Sequence, residues 1–130
     1  MQQNNAKLAA EWFAKADEEE LVCETLLKER IGVHILCFHS HQIVEKYFKG
    51  FLIFKGEESE KIHDLVRLTG LVKKFIPEVS DFQKEITLLN RYYIETRYPG
   101  DTPEGFSWRE AEIAFNFAKN IKNIVLEKIK

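Results

Sequence analysis

Apolar residues recur at three- and four-residue spacing along most of the chain, and no segment shows a strand-like pattern. The pattern is broadest between His34 and Gly56. There Leu36, Ile43, Tyr47 and Phe51 form one row, and Val44, Phe48 and Leu52 widen it. So wide a stripe belongs to a helix contacted on more than one side, which predicts the centre of a helical bundle. The remaining face carries His41, Gln42, Glu45, Lys46 and Lys49. His41, Glu45 and Lys49 stack one turn apart, and Glu45 ahead of Lys49 is the favourable order. Gly50 weakens the helix by about 1 kcal/mol relative to alanine and leaves room for a neighbouring helix to approach. Gly56, after Lys55, marks the helix end.

Four further helices follow from the same reading. Leu8, Trp12, Ala16, Cys23 and Leu27 predict a first helix from about Asn5 to Lys28, with a turn over Glu29 to Gly32. Glu57 to His63 is polar and aperiodic, a loop. Asp64 is suited to cap a short third helix bearing Leu65, Leu68, Val72 and Phe75, closed by Pro77. Ser80 with Gln83 resembles a capping box for a fourth helix, whose face carries Phe82, Ile86, Leu89 and Tyr93, with Leu88 and Tyr92 beside them. Pro99 disfavours helix at Tyr98, and a loop runs from Pro99 to Phe106. Ser107 with Glu110 forms a second capping box, opening a last helix lined by Ala111, Ala114, Ala118, Ile121 and Val125, with Phe117 and Ile124 in a second row. The expected fold is all-α, an up-and-down bundle of about five helices forming one domain over residues 1–130. The stripes on the second, fourth and last helices exceed what one small bundle is expected to bury, which points to a homodimer.

Composition narrows the function. A net charge of −2 argues against a protein that coats nucleic acid by bulk charge, while leaving room for a local basic patch. The first residues lack an apolar signal core, and no apolar run is long enough to span a membrane, so a cytoplasmic location without membrane association is expected by default. Cys23 and Cys37 have no metal-ligand spacing and read as buried thiols. The acidic run Asp17 to Glu20 reads as a solvated face, with an acidic patch facing a basic partner as the alternative. Lys119 and Lys122, beside Asn116 and Asn123, read the same way, with phosphate contact as the alternative.

Candidate chemistry is sparse. Glu60 to His63 is the chain's single Glu-x-x-His motif, and the dimetal bundles require two plus further inward glutamates. His34, His39 and His41 lack a second cluster to complete a metal site, so neither metal nor cofactor is expected. Ser40 lies between two histidines on a helix, where adjacent side chains diverge, so no catalytic residue is assigned. One constellation remains. Tyr93 and Arg97 are one turn apart, followed by Tyr98 and Pro99. The planar guanidinium fork suits carboxylate or phosphate. Tyr93, Arg97 and Tyr98, joined by Lys46 or Lys49 from the central helix, form the candidate nucleotide or anion site. The alternative is that Arg97 caps its own helix or pairs with a nearby acid.

Together these segments resemble the HEPN domain family. The residues that carry the resemblance are Trp12 with Ala16-Asp17, His41-Gln42 with Glu45-Lys46, Lys55-Gly56, His63-Asp64-Leu65, and Tyr93 with Arg97-Tyr98-Pro99. The resemblance implies a small helical bundle that forms a homodimer. It also implies a nucleotidyltransferase-type protein partner in a toxin–antitoxin-like pair, and nucleotide or RNA binding, by likeness to the C-terminal domain of kanamycin nucleotidyltransferase. One branch of the family consists of metal-independent ribonucleases marked by Arg followed by His after four to six residues. This chain departs from that mark: every histidine lies at or before His63, and Arg97 is followed at those distances by Thr102, Pro103 and Glu104. The expected function is a non-catalytic, dimerising module that binds nucleotide, RNA or a nucleotidyltransferase partner. A ribonuclease toxin with a degenerate site around Arg97 and Tyr98 is the alternative.

Overall fold

The structure, a computed structural model, describes residues 2–95 and 106–130, with side chains for 4–92 and 106–130. Its helices are α1 (Gln2–Glu29), α2 (Val33–Phe54), α3 (Leu65–Val72), α4 (Gln83–Glu95) and α5 (Trp108–Lys128), with a 3-10 turn over Pro77–Phe82 ahead of α4. No strand occurs among the described residues. The bundle is built around α2, which packs against all four other helices. Its apolar side chains are accordingly sealed all round: Leu36, Ile43, Val44, Phe48, Phe51 and Leu52 are fully buried, and Tyr47 nearly so.

The ends of α2 follow from local chemistry. Arg30 and Gly32 both take positive φ, which lets the chain reverse between α1 and α2 within three residues. At the other end Gly56, at φ 85°, donates to Ile53 O, and Glu57 N donates to Leu52 O. This is the paired bonding of a Schellman cap, and it satisfies two of the helix's last carbonyls. Gly50 is where α1 comes closest: a Cβ there would lie 2.5 Å from Cε1 of Phe13.

Two of the three expected caps are present. Asp64 accepts from Val66 N at 2.9 Å, and Ser107 accepts from Glu110 N at 3.0 Å. Ser80 is different. Pro77 opens the 3-10 turn, and inside it the Ser80 hydroxyl donates to Pro77 O at 2.9 Å instead of capping α4. A 3-10 turn bonds residues three apart, and the serine joins that pattern. Pro77 therefore starts an element as well as following α3.

Much of the stripes expected to outgrow the bundle is buried within a single chain, with Phe82, Leu88 and Ile124 half-buried. Ile86, Leu89, Ala111, Ala114, Ala118, Ile121 and Val125 are all at most 3% exposed. Large apolar side chains that do face solvent among the described residues are Leu8, Leu21, Val22, Ile31, Ile35, Phe54, Val66 and Ile113. No helix of the described residues is long and apolar enough to cross a membrane.

Candidate functional site

The polar face of α2 is largely turned inward. Lys49 is 1% exposed and Glu45 5%, and their charged groups meet at 2.9 Å. One turn back, His41 is fully buried, with Nδ1 3.8 Å from Glu45 Oε1. The loop after α2 closes the cluster. Lys49 Nζ donates to Glu60 O at 3.1 Å and lies 3.3 Å from His63 Nδ1, which is itself 3.6 Å from Glu45 Oε2. Trp12 of α1 covers the ammonium from the other side at 5.2 Å, a cation–π contact. The i,i+4 spacing was visible in the sequence. The lid formed by Trp12, Glu60 and His63 was not, because it depends on how α1 and the loop fold back. The Glu-x-x-His motif is thus spent on this cluster, its glutamate contributing a backbone carbonyl.

Burial pushes His41 down to about 4, with the Lys49 charge acting in the same direction against Glu19 and Asp64. The sign for stability follows. An unfolded histidine takes up its proton near its ordinary value, whereas the folded one resists until about pH 4. The unfolded state therefore binds more protons across that window, and stability present above pH 6.5 is lost as pH falls through it. The expected loss from this group is on the order of 3 kcal/mol. Urea denaturation at successive pH values should show that slope, and His41→Gln should flatten it.

A second network joins α1, α2 and α5. Glu19 takes Lys46 on one oxygen, while its other lies 2.7 Å from His39 Nδ1. Burial alone would raise the Glu19 carboxyl, but the bonds from His39 and Lys46 and the Lys46 charge outweigh it and hold it below its ordinary value. Asp17 accepts from the Tyr47 hydroxyl and pairs with Lys122, which also reaches Glu20 at 2.8 Å. Lys119 pairs with Glu24 and lies over Phe115. Three of the four residues in the acidic run therefore serve cations of their own chain, although the Asp17 side chain stays half-exposed. Glu18 is exposed. Helix periodicity fixes which residues share a face, but not which helix lies against that face.

The other sequence candidates fall into place around these networks. The Ser40 hydroxyl is buried and donates to Leu36 O at 2.8 Å. Cys23 and Cys37 are buried free thiols, each pushed up to about 12, chiefly by burial. Among the described residues no group of three His, Cys, Asp or Glu side chains is arranged to hold a metal ion.

Of the proposed anion site, Arg97 and Tyr98 lie outside the described residues, and so does the Tyr93 side chain. Lys46 and Lys49 are described, and each already has a carboxylate partner. What is visible is the frame that brackets the segment. Tyr92 is fully buried against Phe106, ring centroids 4.7 Å apart, and its hydroxyl faces Cys37. Phe106 N donates to His34 Nε2 at 3.2 Å. Both ends of the segment thus meet the first turns of α2. Cys37 precedes Lys46 by nine residues, roughly 14 Å along a helix. Sequence reasoning missed His34 as an anchor, since it lies 72 residues from its partner.

An all-α helical bundle, with many of its described charged residues paired internally, is the class of protein that these features define. The model of the HEPN domain family matches residues 9–129, nearly the full length, and the chain belongs to that family. In general terms this makes it a nucleotide- or RNA-related module. No curated protein and no solved structure matches the chain significantly.

Proposed function

We propose that this chain is a non-catalytic HEPN module that dimerises and binds nucleotide or RNA, in a toxin–antitoxin-type pair with a nucleotidyltransferase-type partner. The observation that carries the reading is the family match together with the placement of the histidines. All four precede the Arg97 segment, so the Arg-to-His spacing of the ribonuclease branch has no counterpart here. The structure adds that His39 and His63 lie against carboxylates and His41 is fully buried. Binding is assigned to Tyr93, Arg97 and Tyr98. The arginine fork holds phosphate, and a tyrosine ring stacks on a base. Lys46 and Lys49 support the site only if they exchange their present carboxylate partners. Dimerisation is supported by the family and by the apolar side chains left exposed on α1, α2 and α5.

One observation favours the second reading, a ribonuclease with a degenerate site. His34, exposed on the first turn of α2, holds Phe106, where the chain returns from the Arg97 segment. A histidine supplied from α2 would replace the missing one in sequence. The two readings separate in an RNA cleavage assay on the highly purified chain alone. The first expects intact single-stranded RNA. Cleavage that disappears in both Arg97→Ala and His34→Ala establishes the second.

A further inference from the structure

A groove of about 380 Å³ opens between α3, the 3-10 turn and α4, and no residue of either ionic network lines it. Val66 and Ile86 give its apolar lining, and Lys73, Gln83 and Thr87 are among its polar residues. Its volume lies within the range of small-molecule sites, which are mainly apolar with a few polar groups that fix orientation.

Three observations say what it would take. First, Lys73 is the sole charged residue of the lining, and among the described residues no carboxylate comes within 4 Å of it. Many other lysines of the bundle, including Lys46, Lys49, Lys119, Lys122 and Lys128, do have such a partner. Secondly, two hydroxyls of the lining already donate their protons to backbone carbonyls, Thr69 to Leu65 O and Ser80 to Pro77 O. Thirdly, Gly70 stands in α3 with nothing within 4 Å of where its Cβ would be. Glycine weakens a helix relative to alanine, and at Gly50 close packing of α1 explains it. At Gly70 no neighbour among the described residues does. What its missing side chain leaves is a flat strip of helix surface beside the exposed Val66.

We infer that this groove is a binding site for a small organic anion with a flat apolar body, the ring lying on Val66, Gly70 and Ile86 and the carboxylate or other anionic end meeting Lys73. The site is independent of the Arg97 reading and stands or falls separately.

Indole-3-acetate is a suitable probe, with the neutral indole-3-ethanol as its control, each titrated into the nitrogen-labelled full chain and followed by amide NMR. Shifts should concentrate at Val66, Gly70, Lys73 and Thr87. Lys73→Gln should weaken indole-3-acetate about tenfold, the value of one charge-assisted hydrogen bond, and leave indole-3-ethanol unchanged. Gly70→Leu should abolish binding of both. A Cβ at Gly70 meets nothing within 4 Å, and the spectrum itself reports whether the variant is folded. Shifts that are absent at millimolar probe, scattered over other faces, or unaffected by Lys73→Gln and Gly70→Leu would overturn the proposal. So would a change of molecular mass in Gly70→Leu by light scattering, which would mark the groove as a contact between copies.

Discussion

Lys49→Met should lower the stability of this protein by about 3–5 kcal/mol, the usual consequence of leaving one half of a buried ion pair without its partner. Methionine keeps much of the length of the lysine stem, so the effect is one of charge more than of volume. What remains is the Glu45 carboxylate, 5% exposed, facing a buried His41 that resists protonation and an exposed His63 at 3.6 Å. The loop also loses the bond from Lys49 to Glu60 O and the ammonium on Trp12. The double variant Glu45→Leu with Lys49→Met should recover most of the loss, because apolar replacement of a whole buried pair is often neutral. Urea denaturation of the two variants measures this coupling directly. A single variant within about 0.5 kcal/mol of the parent would show that the pair is solvated in practice, as surface pairs are.

Gly50→Leu is the second large effect expected, a loss of about 1–3 kcal/mol from overpacking. A Cβ at this position already meets Phe13 at 2.5 Å and 2.9 Å. The Phe13 ring is not free to swing away cheaply, since it stacks on Tyr47 at 4.9 Å, and Tyr47 is tied to Asp17. The better helix propensity of leucine offsets up to about 1 kcal/mol, so the net figure reflects how tightly α1 is held on α2. Phe13→Ala should by itself destabilise by leaving a gap against α2, yet combined with Gly50→Leu it should cost less than the sum. Non-additivity of that sign in thermal unfolding is the signature of direct contact. Strict additivity would place the helices further apart than they stand here.

Both effects lie on α2, and both were only half legible in the sequence. The apolar row through Ile43, Tyr47 and Phe51 could be read from spacing, because a helix has to bury such a row. The caps at Asp64, Ser107 and Gly56 could be read from residue chemistry. Ser80 misled because Pro77 favours a 3-10 turn in which a serine has a closer acceptor. The burial of Glu45 and Lys49 could not be read at all, since charged residues on a helix face read as solvated until something is known to cover them. Trp12 and the Glu60–His63 loop do so here. The acidic run shows the same limit: its three-dimensional partners, His39, Lys46, Tyr47 and Lys122, lie 20 to 105 residues away. The breadth of the apolar stripes was legible, but not which neighbour covers each of them: α2 packs against four helices and so absorbs much of that surface within the chain.

Nucleotide or RNA binding through Arg97 is the central claim, and one comparison tests it. Fluorescence anisotropy with a short single-stranded RNA is measured on the parent chain and on Arg97→Gln, alongside the melting temperature of each. The account predicts that the variant binds at least about tenfold more weakly, as expected when one charge-assisted hydrogen bond to phosphate is removed, while melting within a degree or two of the parent. A variant that melts lower and binds RNA as well as the parent would contradict it and make Arg97 a cap for the end of α4.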